Sequence, residues 1–306
     1  MLFESKISNF MLTKKYAKNW ASVVFRILSR KEVIVSLRSG VIISGVKDPI
    51  ALMKLLSRGW KIEEHDQTSI VLKNRDSVKL KCRLQVGSDL GHLVEIFETD
   101  TYLQNLQNSI VIDIGASTAD SSILFATRGA KEVYGVEPMK ESFDLAMFNV
   151  RENNLEGKVY LINAALTDKT GSVELIVSSQ NPNANSINPT DKVKKTGIKF
   201  DSKRVIDSIS LKDIISQYSL SKINLLKMDC EGCEYEVLKN IEEETLSLID
   251  SIILEYHDGV KFLADFLEKK GYNVSYDRPT GLGILRAIRD TINVNQSVLH
   301  ISNDAV

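Results

Sequence analysis

The residues that could bind a nucleoside-containing cofactor stand where an apolar segment ends. Val111-Ile112-Asp113-Ile114-Gly115-Ala116-Ser117 places a carboxylate, a glycine and small residues where a buried strand would turn into a helix. A glycine there lets the backbone turn tightly and approach a ligand closely. Glu137 follows at the end of the next predicted strand, and a carboxylate in that position can accept hydrogen bonds from both hydroxyls of a ribose. The pattern predicts a ribose-containing cofactor, although small residues at this turn could also serve only to pack the helix against the strand.

A dinucleotide is the alternative cofactor for this turn. Its G-x-G-x-x-G fingerprint places a pyrophosphate on the helix N-terminus. Ser117 and Asp120 occupy the second and third glycine positions here, and the carboxylate of Asp120 would repel a phosphate. S-adenosylmethionine fits better because it carries no phosphate, and Asp113 would favour its positive charge electrostatically.

A second group of reactive side chains follows two later strands. Asp229 and Glu231 come directly after residues 223–228, while Glu255 and His257 end the next strand and share one side of it. A reaction that takes a proton from a hydroxyl group needs positioning and a base, and His257 has a near-neutral unperturbed pKa. We predict His257 as the base, although Asp229 or Glu231 could act as base, orient the imidazole or bind substrate hydroxyls. An ordinary strand-end histidine and acids that stabilise a helix N-terminus are the alternatives.

Cys230 and Cys233 raise the question of a zinc or redox site. Cys82 is the only other cysteine, so a four-cysteine zinc site is excluded. We predict that both are small buried residues. A divalent cation would need several oxygen ligands, and we predict no metal site.

These segments resemble the FkbM family of methyltransferases. The family pattern D-I-G-A-N-x-G-D resembles residues 113–120, and V-Y-A-F-E-P resembles residues 133–138. Residues 161–166 resemble the third motif of the family, and residues 227–234 resemble K-I-D-V-E-G-A-E. Ser117 stands where the family has asparagine, and Ala119 where it has glycine. Four motifs in order make the resemblance specific.

The resemblance implies a class I S-adenosylmethionine-dependent methyltransferase. Its expected reaction is O-methylation of a sugar, a glycan or another polyhydroxylated metabolite. The residues expected to hold the cofactor are Asp113, Gly115, Ala116, Ser117, Glu137, Asn163 and Ala164. The residues expected to face the acceptor are Asp229, Glu231 and His257. A nicotinamide-dependent oxidoreductase and a non-catalytic module that binds S-adenosylmethionine are the alternatives.

The elements that must position these groups alternate between strand and helix from residue 109 onward. Apolar runs predict strands at 109–114, 132–136, 158–162, 223–228 and 251–255, with helices between them and a closing antiparallel hairpin over 271–276 and 283–288. This order predicts an α/β fold, a Rossmann-like and mostly parallel sheet with helices on both faces. We expect a cofactor-binding domain over 101–290, a polar tail over 291–306, and a substrate-side loop over 178–202.

Residues 1–100 are expected to form an α+β accessory portion. Tyr16, Trp20 and Val23 begin an apolar stripe on a basic helix. That helix would pack on the main domain, or contact a membrane surface through Lys14 and neighbouring basic residues. Short strands at 33–37 and 41–46, a helix from Asp48-Pro49 to Gly59, and strands at 69–73 and 78–84 complete it.

Composition limits the partners. The formal net charge of −1 over 306 residues gives no general attraction to nucleic acid, so none is expected as a partner. Three sparse cysteines favour a reducing compartment, and no apolar run approaches the roughly 20 residues of a membrane span. We expect a cytoplasmic enzyme, and the sequence gives no indication of its oligomeric state.

Overall fold

The chain begins with an N-terminal portion of helices and short strands. The computed structural model describes residues 2–29, 32–85, 88–99, 101–102, 104–178, 185–187 and 199–290. The first helices are α1 Leu2–Tyr16, α2 Trp20–Leu28, α3 Pro49–Ser57 and α4 Asp89–Glu98. The first strands are β1 Val35–Ser36, β2 Ile42–Ile43, β3 Lys61–His65, β4 Ser69–Lys73 and β5 Lys79–Arg83. Strands β1 and β2 form a hairpin, and β3, β4 and β5 form an antiparallel sheet in that order.

The predicted hairpins and the helix after Asp48 are confirmed. The Asp48 carboxylate caps α3 by accepting a 2.9 Å hydrogen bond from the Ala51 N–H. The single basic helix expected around Trp20 is instead two helices, because the chain turns at Ala17, which bridges to Leu37. The predictions included neither β3 nor α4.

The rest of the described chain alternates between strand and helix. Its helices are α5 Asp120–Thr127, α6 Lys140–Glu152, α7 Leu211–Gln217, α8 Cys233–Asn240, α9 Glu243–Ser247 and α10 Lys261–Lys269. Its strands are β6 Ile110–Ile114, β7 Glu132–Val136, β8 Val159–Ile162, β9 Ala165–Thr167, β10 Gly171–Val177, β11 Ser202–Ser210, β12 Ile223–Met228, β13 Ile249–Tyr256, β14 Tyr272–Tyr276 and β15 Gly283–Arg289. No helix among the described residues is both long enough and apolar enough to cross a membrane.

Seven strands form the central sheet in the order β14-β15-β13-β12-β6-β7-β8. The five strands from β13 to β8 run parallel, while β15 pairs antiparallel with both β13 and β14. Both faces are buried: Val111 of β6 joins one hydrophobic cluster, whereas Ile112 and Ile114 join the cluster on the other face. The predicted class I methyltransferase fold, mostly parallel with a closing antiparallel hairpin, is confirmed. Strand order reverses between β6 and β12, and ligands bind at such a point in open α/β sheets.

A small sheet in the order β10-β11-β9 lies in a region where no strand was predicted. Strand β11 pairs antiparallel with β10 and parallel with β9. Most of the expected substrate-side loop over 178–202 lies outside the described residues, as does the expected tail over 291–306.

The N-terminal portion packs against the central sheet. One hydrophobic cluster runs from Val23 and Leu52 to Val133 and Leu225 of the sheet. Helix α6 also closes the free edge of β5, because the Asn149 side chain exchanges two hydrogen bonds with the Lys81 backbone, at 2.8 and 3.2 Å. The boundary predicted near residue 100 stays a prediction, and the two portions share one core.

A buried ion pair joins β6 and β12, the two strands between which the strand order reverses. Lys227 Nζ lies 3.0 Å from Asp113 Oδ1, and it donates to the carbonyl oxygens of Ile114 (3.2 Å) and Gly115 (3.0 Å). Burial lowers the pKa of Lys227, but Asp113 and neighbouring acids outweigh this effect, so its pKa is raised and the ammonium stays charged. The other Asp113 oxygen accepts 2.6 Å hydrogen bonds from the Ser121 and Ser122 hydroxyls of α5. The pair therefore fixes β6, β12 and α5 together.

Lys227→Met is expected to lower the free energy of unfolding by about 3–5 kcal/mol, because it leaves the Asp113 charge buried without its partner. Urea denaturation followed by circular dichroism measures the change. The double variant Lys227→Met/Asp113→Asn is expected to lose less than the sum of the two single variants. Additive losses would show that the pair is not coupled.

Candidate active site

One pocket opens at the carboxyl ends of the central parallel strands. Its lining comes from the loops after β6, β7 and β12, from the end of β13, from the β9–β10 region and from α4. The polar, charged and glycine residues that matter for its chemistry are His92, Glu95, Tyr102, Gly115, Ser117, Asp120, Glu137, Asn185, Ser186, Asp229, Cys230, Glu231, Cys233 and Glu255. Adjacent strands lie about 4.8 Å apart, so the row from Glu137 after β7 to Glu255 on β13 crosses three spacings, roughly 14 Å.

The turn after β6 has an unusual backbone. Gly115 has φ +74°, and a Cβ there would stand 1.8 Å from the Asp229 carbonyl oxygen. The glycine is therefore required because the loop after β12 crosses directly over it. Ser117 (φ 47°) and Ala119 (φ 63°) are also left-handed. These are the positions at which the FkbM pattern has asparagine and glycine, the residues that tolerate this conformation best.

The Glu137 carboxylate holds two loops. Oε2 accepts a 2.9 Å hydrogen bond from the Ser117 N–H, and Oε1 accepts a 2.8 Å bond from the Met139 N–H. Burial raises the pKa of Glu137 to about 7, although these two backbone donors act to lower it. Each oxygen keeps a lone pair for a further donor, so the side chain can also accept a hydroxyl hydrogen bond from the pocket.

Four predicted cofactor residues stand behind the pocket wall and do not line it. Asp113 is fully buried against Lys227, and Ala116 is fully buried. The Asn163 amide donates to the Glu137 carbonyl at 2.8 Å, and Ala165 lines the pocket where Ala164 was expected. Asp113 thus faces Lys227, which neutralises its charge, and its expected contact with the cofactor stays a prediction. Gly115, Ser117 and Glu137 do line the pocket.

Asp120 offers a test of the cofactor type. Its side chain is buried and lines the pocket, and within the described part of the chain Oδ2 has no hydrogen-bond partner. Burial raises the pKa of Asp120 to about 6, so it is largely ionised at pH 7. An unpaired carboxylate oxygen at the start of α5 suits an ammonium group and repels a phosphate. The residues present therefore fit S-adenosylmethionine better than a dinucleotide.

The other end of the pocket gathers Asp229, Glu231 and Glu255. Burial raises the pKa of Glu231 to about 7, and the adjacent charge of Asp229 adds to this shift. Burial and Asp229 likewise raise the pKa of Glu255 to about 8. Near neutral pH Glu231 is poised between its two protonation states, while Glu255 is largely protonated. This end can accept a proton and can also donate a hydrogen bond.

His257 is placed differently from the prediction. It is buried, it is not among the residues that line the pocket, and it lies between two carboxylates. Nδ1 stands 2.7 Å from Glu234 Oε1 and Nε2 stands 3.3 Å from Glu231 Oε2. Burial lowers the pKa of His257, but the hydrogen bond and charge of Glu234 outweigh this, and the pKa is raised to about 10. An imidazolium at neutral pH has no lone pair for a proton, which favours a neighbouring carboxylate over His257 as the base.

Cys230 and Cys233 form a disulfide, which corrects the prediction that both are simply small buried residues. The cysteines flank the turn at Glu231-Gly232, and their Cα atoms lie 5.5 Å apart, within reach of a disulfide. Both line the pocket. A disulfide weakens the argument for a reducing compartment, and the cytoplasmic location stays a prediction. Cys82 is a buried free thiol.

The sequence analysis missed the pocket residues of the N-terminal portion. His92 and Glu95 of α4 and Tyr102 after it also line the pocket. Tyr102 lies over the Lys227 ammonium, 5.9 Å from the ring centroid. No spacing rule links these residues to the motifs, since α4 was not predicted. Asn185 and Ser186 also line the pocket, and the Ser186 hydroxyl donates to the Glu231 carbonyl at 2.6 Å.

Comparison with known proteins places these loops in one family. Residues 113–274 match the methyltransferase FkbM domain. The match covers more than half of the chain and all four motifs.

Three curated relatives are methyltransferases. Methyltransferase sdnD of Sordaria araneosa is 26% identical over 60% of this chain and 82% of its own length. Methyltransferase 1 of Beauveria bassiana is 24% identical over 56% of this chain and 75% of its own length. The hexuronic acid methyltransferase AglP of Haloferax volcanii is 26% identical over 50% of this chain and 58% of its own length.

Glu137→Gln is expected to weaken binding of S-adenosylhomocysteine about 10- to 100-fold, because the amide that replaces one carboxylate oxygen cannot accept a hydrogen bond from a backbone N–H or a ribose hydroxyl. Isothermal titration calorimetry measures the affinity. Glu141→Gln, an exposed carboxylate one turn further along, is the control and should bind as the wild type does. Equal affinity of the wild type and Glu137→Gln would refute the ribose assignment.

Ser117→Asn is expected to raise the free energy of unfolding by about 0.5–1 kcal/mol, because asparagine adopts the left-handed conformation at lower cost than serine. Ser219→Asn should stabilise similarly, since Ser219 is exposed and also has a positive φ of 52°. Ser216→Asn, on the exposed side of α7, should not. Urea denaturation compares the three. A gain at Ser216 as large as at Ser117 would rule out the backbone explanation.

Proposed function

Because the chain belongs to the FkbM family of methyltransferases, we propose that it methylates a hydroxyl oxygen of a sugar, a glycan or another polyhydroxylated metabolite. The chain is a methyltransferase that uses S-adenosylmethionine as its methyl donor. The observation that carries the proposal is the row of carboxylates along the strand ends, with Glu137 at one end and Glu231 and Glu255 at the other. Such a row can hold the hydroxyls of a ribose and of an acceptor.

Within this proposal, the loops after β6 and β7 hold the cofactor. Glu137 accepts hydrogen bonds from its ribose, and Asp120 balances its ammonium charge. When bound, S-adenosylmethionine supplies an electrophilic methyl group on a positive sulfur. Asp113, Asn163 and Lys227 position these loops from behind, through the contacts with α5, the Glu137 carbonyl and the Gly115 carbonyl.

Glu231 is the proposed base. As the hydroxyl oxygen of the acceptor gains the methyl group, its proton passes to the Glu231 carboxylate, whose pKa of about 7 suits this role near neutral pH. His257 acts as a positioning residue, because its imidazolium contacts Glu231 on one side and Glu234 on the other. Glu255, protonated below about pH 8, donates a hydrogen bond to an acceptor oxygen.

Two observations support a polyhydroxylated acceptor. One relative, AglP, is a methyltransferase of hexuronic acid. In this chain the acceptor end of the pocket is lined by Glu95, Asp229, Glu231 and Glu255, which can bind several hydroxyls at once. The same carboxylates would repel the phosphates of a nucleic acid, so a small molecule or a glycan is the proposed partner.

The test is a panel of acceptors assayed for S-adenosylhomocysteine release: methyl glycosides of neutral hexoses, a methyl hexuronide, catechol, an amino acid and an unmodified RNA. Turnover on a glycoside, with a methyl ether identified in the product by mass spectrometry and NMR, is the expected result. Methylation of nitrogen or carbon, or turnover only on RNA, would refute the proposal. Tight S-adenosylhomocysteine binding with no turnover would favour the non-catalytic alternative.

Glu231→Gln is expected to lower kcat/KM about 10²- to 10⁴-fold, the usual contribution of a general base. In the wild type, kcat/KM should fall as the pH drops through about 7, since a protonated Glu231 cannot accept the hydroxyl proton. A pH profile of turnover on the glycoside found active in the panel measures both effects.

Glu255→Gln is the matched control, because glutamine resembles the protonated carboxyl group and should keep most of the activity. It should also retain the pH dependence near 7, which Glu231→Gln should lose. The reverse result, with the dependence lost in Glu255→Gln, would transfer the role of base to Glu255.

A further inference from the structure

Helix α2 carries two apolar faces. Val23 is fully buried in the core that the N-terminal portion shares with the sheet. On the outward face Ala21, Phe25 and Leu28 follow one another at helical spacing, and Phe25 and Leu28 are 63% and 79% exposed. A helix at the surface of a protein usually presents polar residues to solvent, so this outward face needs a separate explanation.

Exposed apolar side chains are also present on α1, which packs against α2. Phe10 packs edge-to-face on Trp20 at the beginning of α2, with ring centroids 5.3 Å apart. Phe10 and its neighbour Met11 are 41% and 64% exposed. We name the surface formed by Phe10, Met11, Phe25 and Leu28 the N-terminal patch. Four large exposed apolar side chains on two helices that pack together are more than the scattered single ones that need no explanation.

Positive charges predominate in the segment that carries the patch. Residues 8–29 contain Lys14, Lys15, Lys18 and Arg26 and no aspartate or glutamate, in a chain whose net charge is −1. The three lysines are exposed. Within the described residues none of the four takes part in an ion pair; Lys14 and Lys15 instead lie near the Trp20 and Tyr16 rings. Basic side chains beside large apolar ones suit a partner whose surface is negatively charged and whose interior, just below that surface, is apolar.

We propose that α1 and α2 dock the protein on the surface of an anionic lipid bilayer. Phe25, Leu28 and Met11 enter the boundary between head groups and acyl chains, and the lysines contact the lipid phosphates. A second copy of the chain fits less well, since a symmetric contact would place four positive charges against four others. A nucleic acid would match the charges but would leave the apolar side chains in water.

The test is flotation of the purified full chain with vesicles of phosphatidylcholine alone and of phosphatidylcholine with phosphatidylglycerol. We expect at least about tenfold more protein on the anionic vesicles, with a decrease at high salt because screening weakens the lysine–phosphate contacts. Trp20 gives a second readout. It lies at the patch and the only other tryptophan, Trp60, is buried, so a blue shift in emission would report α2.

Matched variants separate docking from folding. Leu28→Asp should lower vesicle binding at least about tenfold, whereas Val205→Asp, at a residue 77% exposed on β11, should leave it unchanged. Lys14→Glu/Lys18→Glu should also abolish the preference for anionic vesicles, while Lys169→Glu/Lys239→Glu, at exposed lysines elsewhere, should preserve it. Unchanged S-adenosylhomocysteine affinity in every variant would show that the fold is retained.

Three outcomes would overturn the proposal. The wild type could fail to bind either kind of vesicle, or the Val205 variant could lose binding as much as the Leu28 variant does. Analytical ultracentrifugation could also reveal a dimer that Leu28→Asp dissociates, which would assign the patch to a second copy of the chain.

Discussion

The ammonium group of Lys227 is the constraint on which the site depends. It lies at the carboxyl ends of the neighbouring strands β6 and β12, between which the strand order reverses. There the carbonyl groups of Ile114 and Gly115 accept hydrogen bonds from its Nζ. Two of its N–H groups bond to these carbonyls, and its charge is balanced by the ion pair with Asp113. Since a buried charge is tolerated only with such partners, the lysine fixes the floor of the pocket as well as the sheet.

With the floor fixed in this way, the chemistry of the pocket follows from how closely its acids are crowded. Burial and mutual repulsion hold Glu231 and Glu255 partly or largely protonated near neutrality, while the His257 imidazolium lies between Glu231 and Glu234. Burial lowers the pKa of His257, whereas the neighbouring carboxylates raise it, and the carboxylates prevail. The proton acceptor that we propose is therefore a carboxylate, and the histidine keeps it in place.

The N-terminal portion completes this pocket although the family match begins only at residue 113. Asn149 of α6 bonds to the edge of β5, and α4 then brings His92 and Glu95 over the strand ends. Residues outside the matched domain thus contribute to the acceptor end of the pocket. We expect the sequences of relatives that methylate different acceptors to differ most at this end. Helices α1 and α2 belong to the same portion.

The parallel sheet, its closing hairpin, the family and the turn after β6 could be predicted from the sequence alone, because they depend on local periodicity and on contiguous motifs. Gly115, Ser117 and Glu137 were found in this way. The folded structure was needed to show that Asp113 faces Lys227, that His257 lies between two glutamates, and that α4 lines the pocket. The partners of these side chains are distant in sequence, and the protonation state of a buried group depends on whichever charges the fold places beside it.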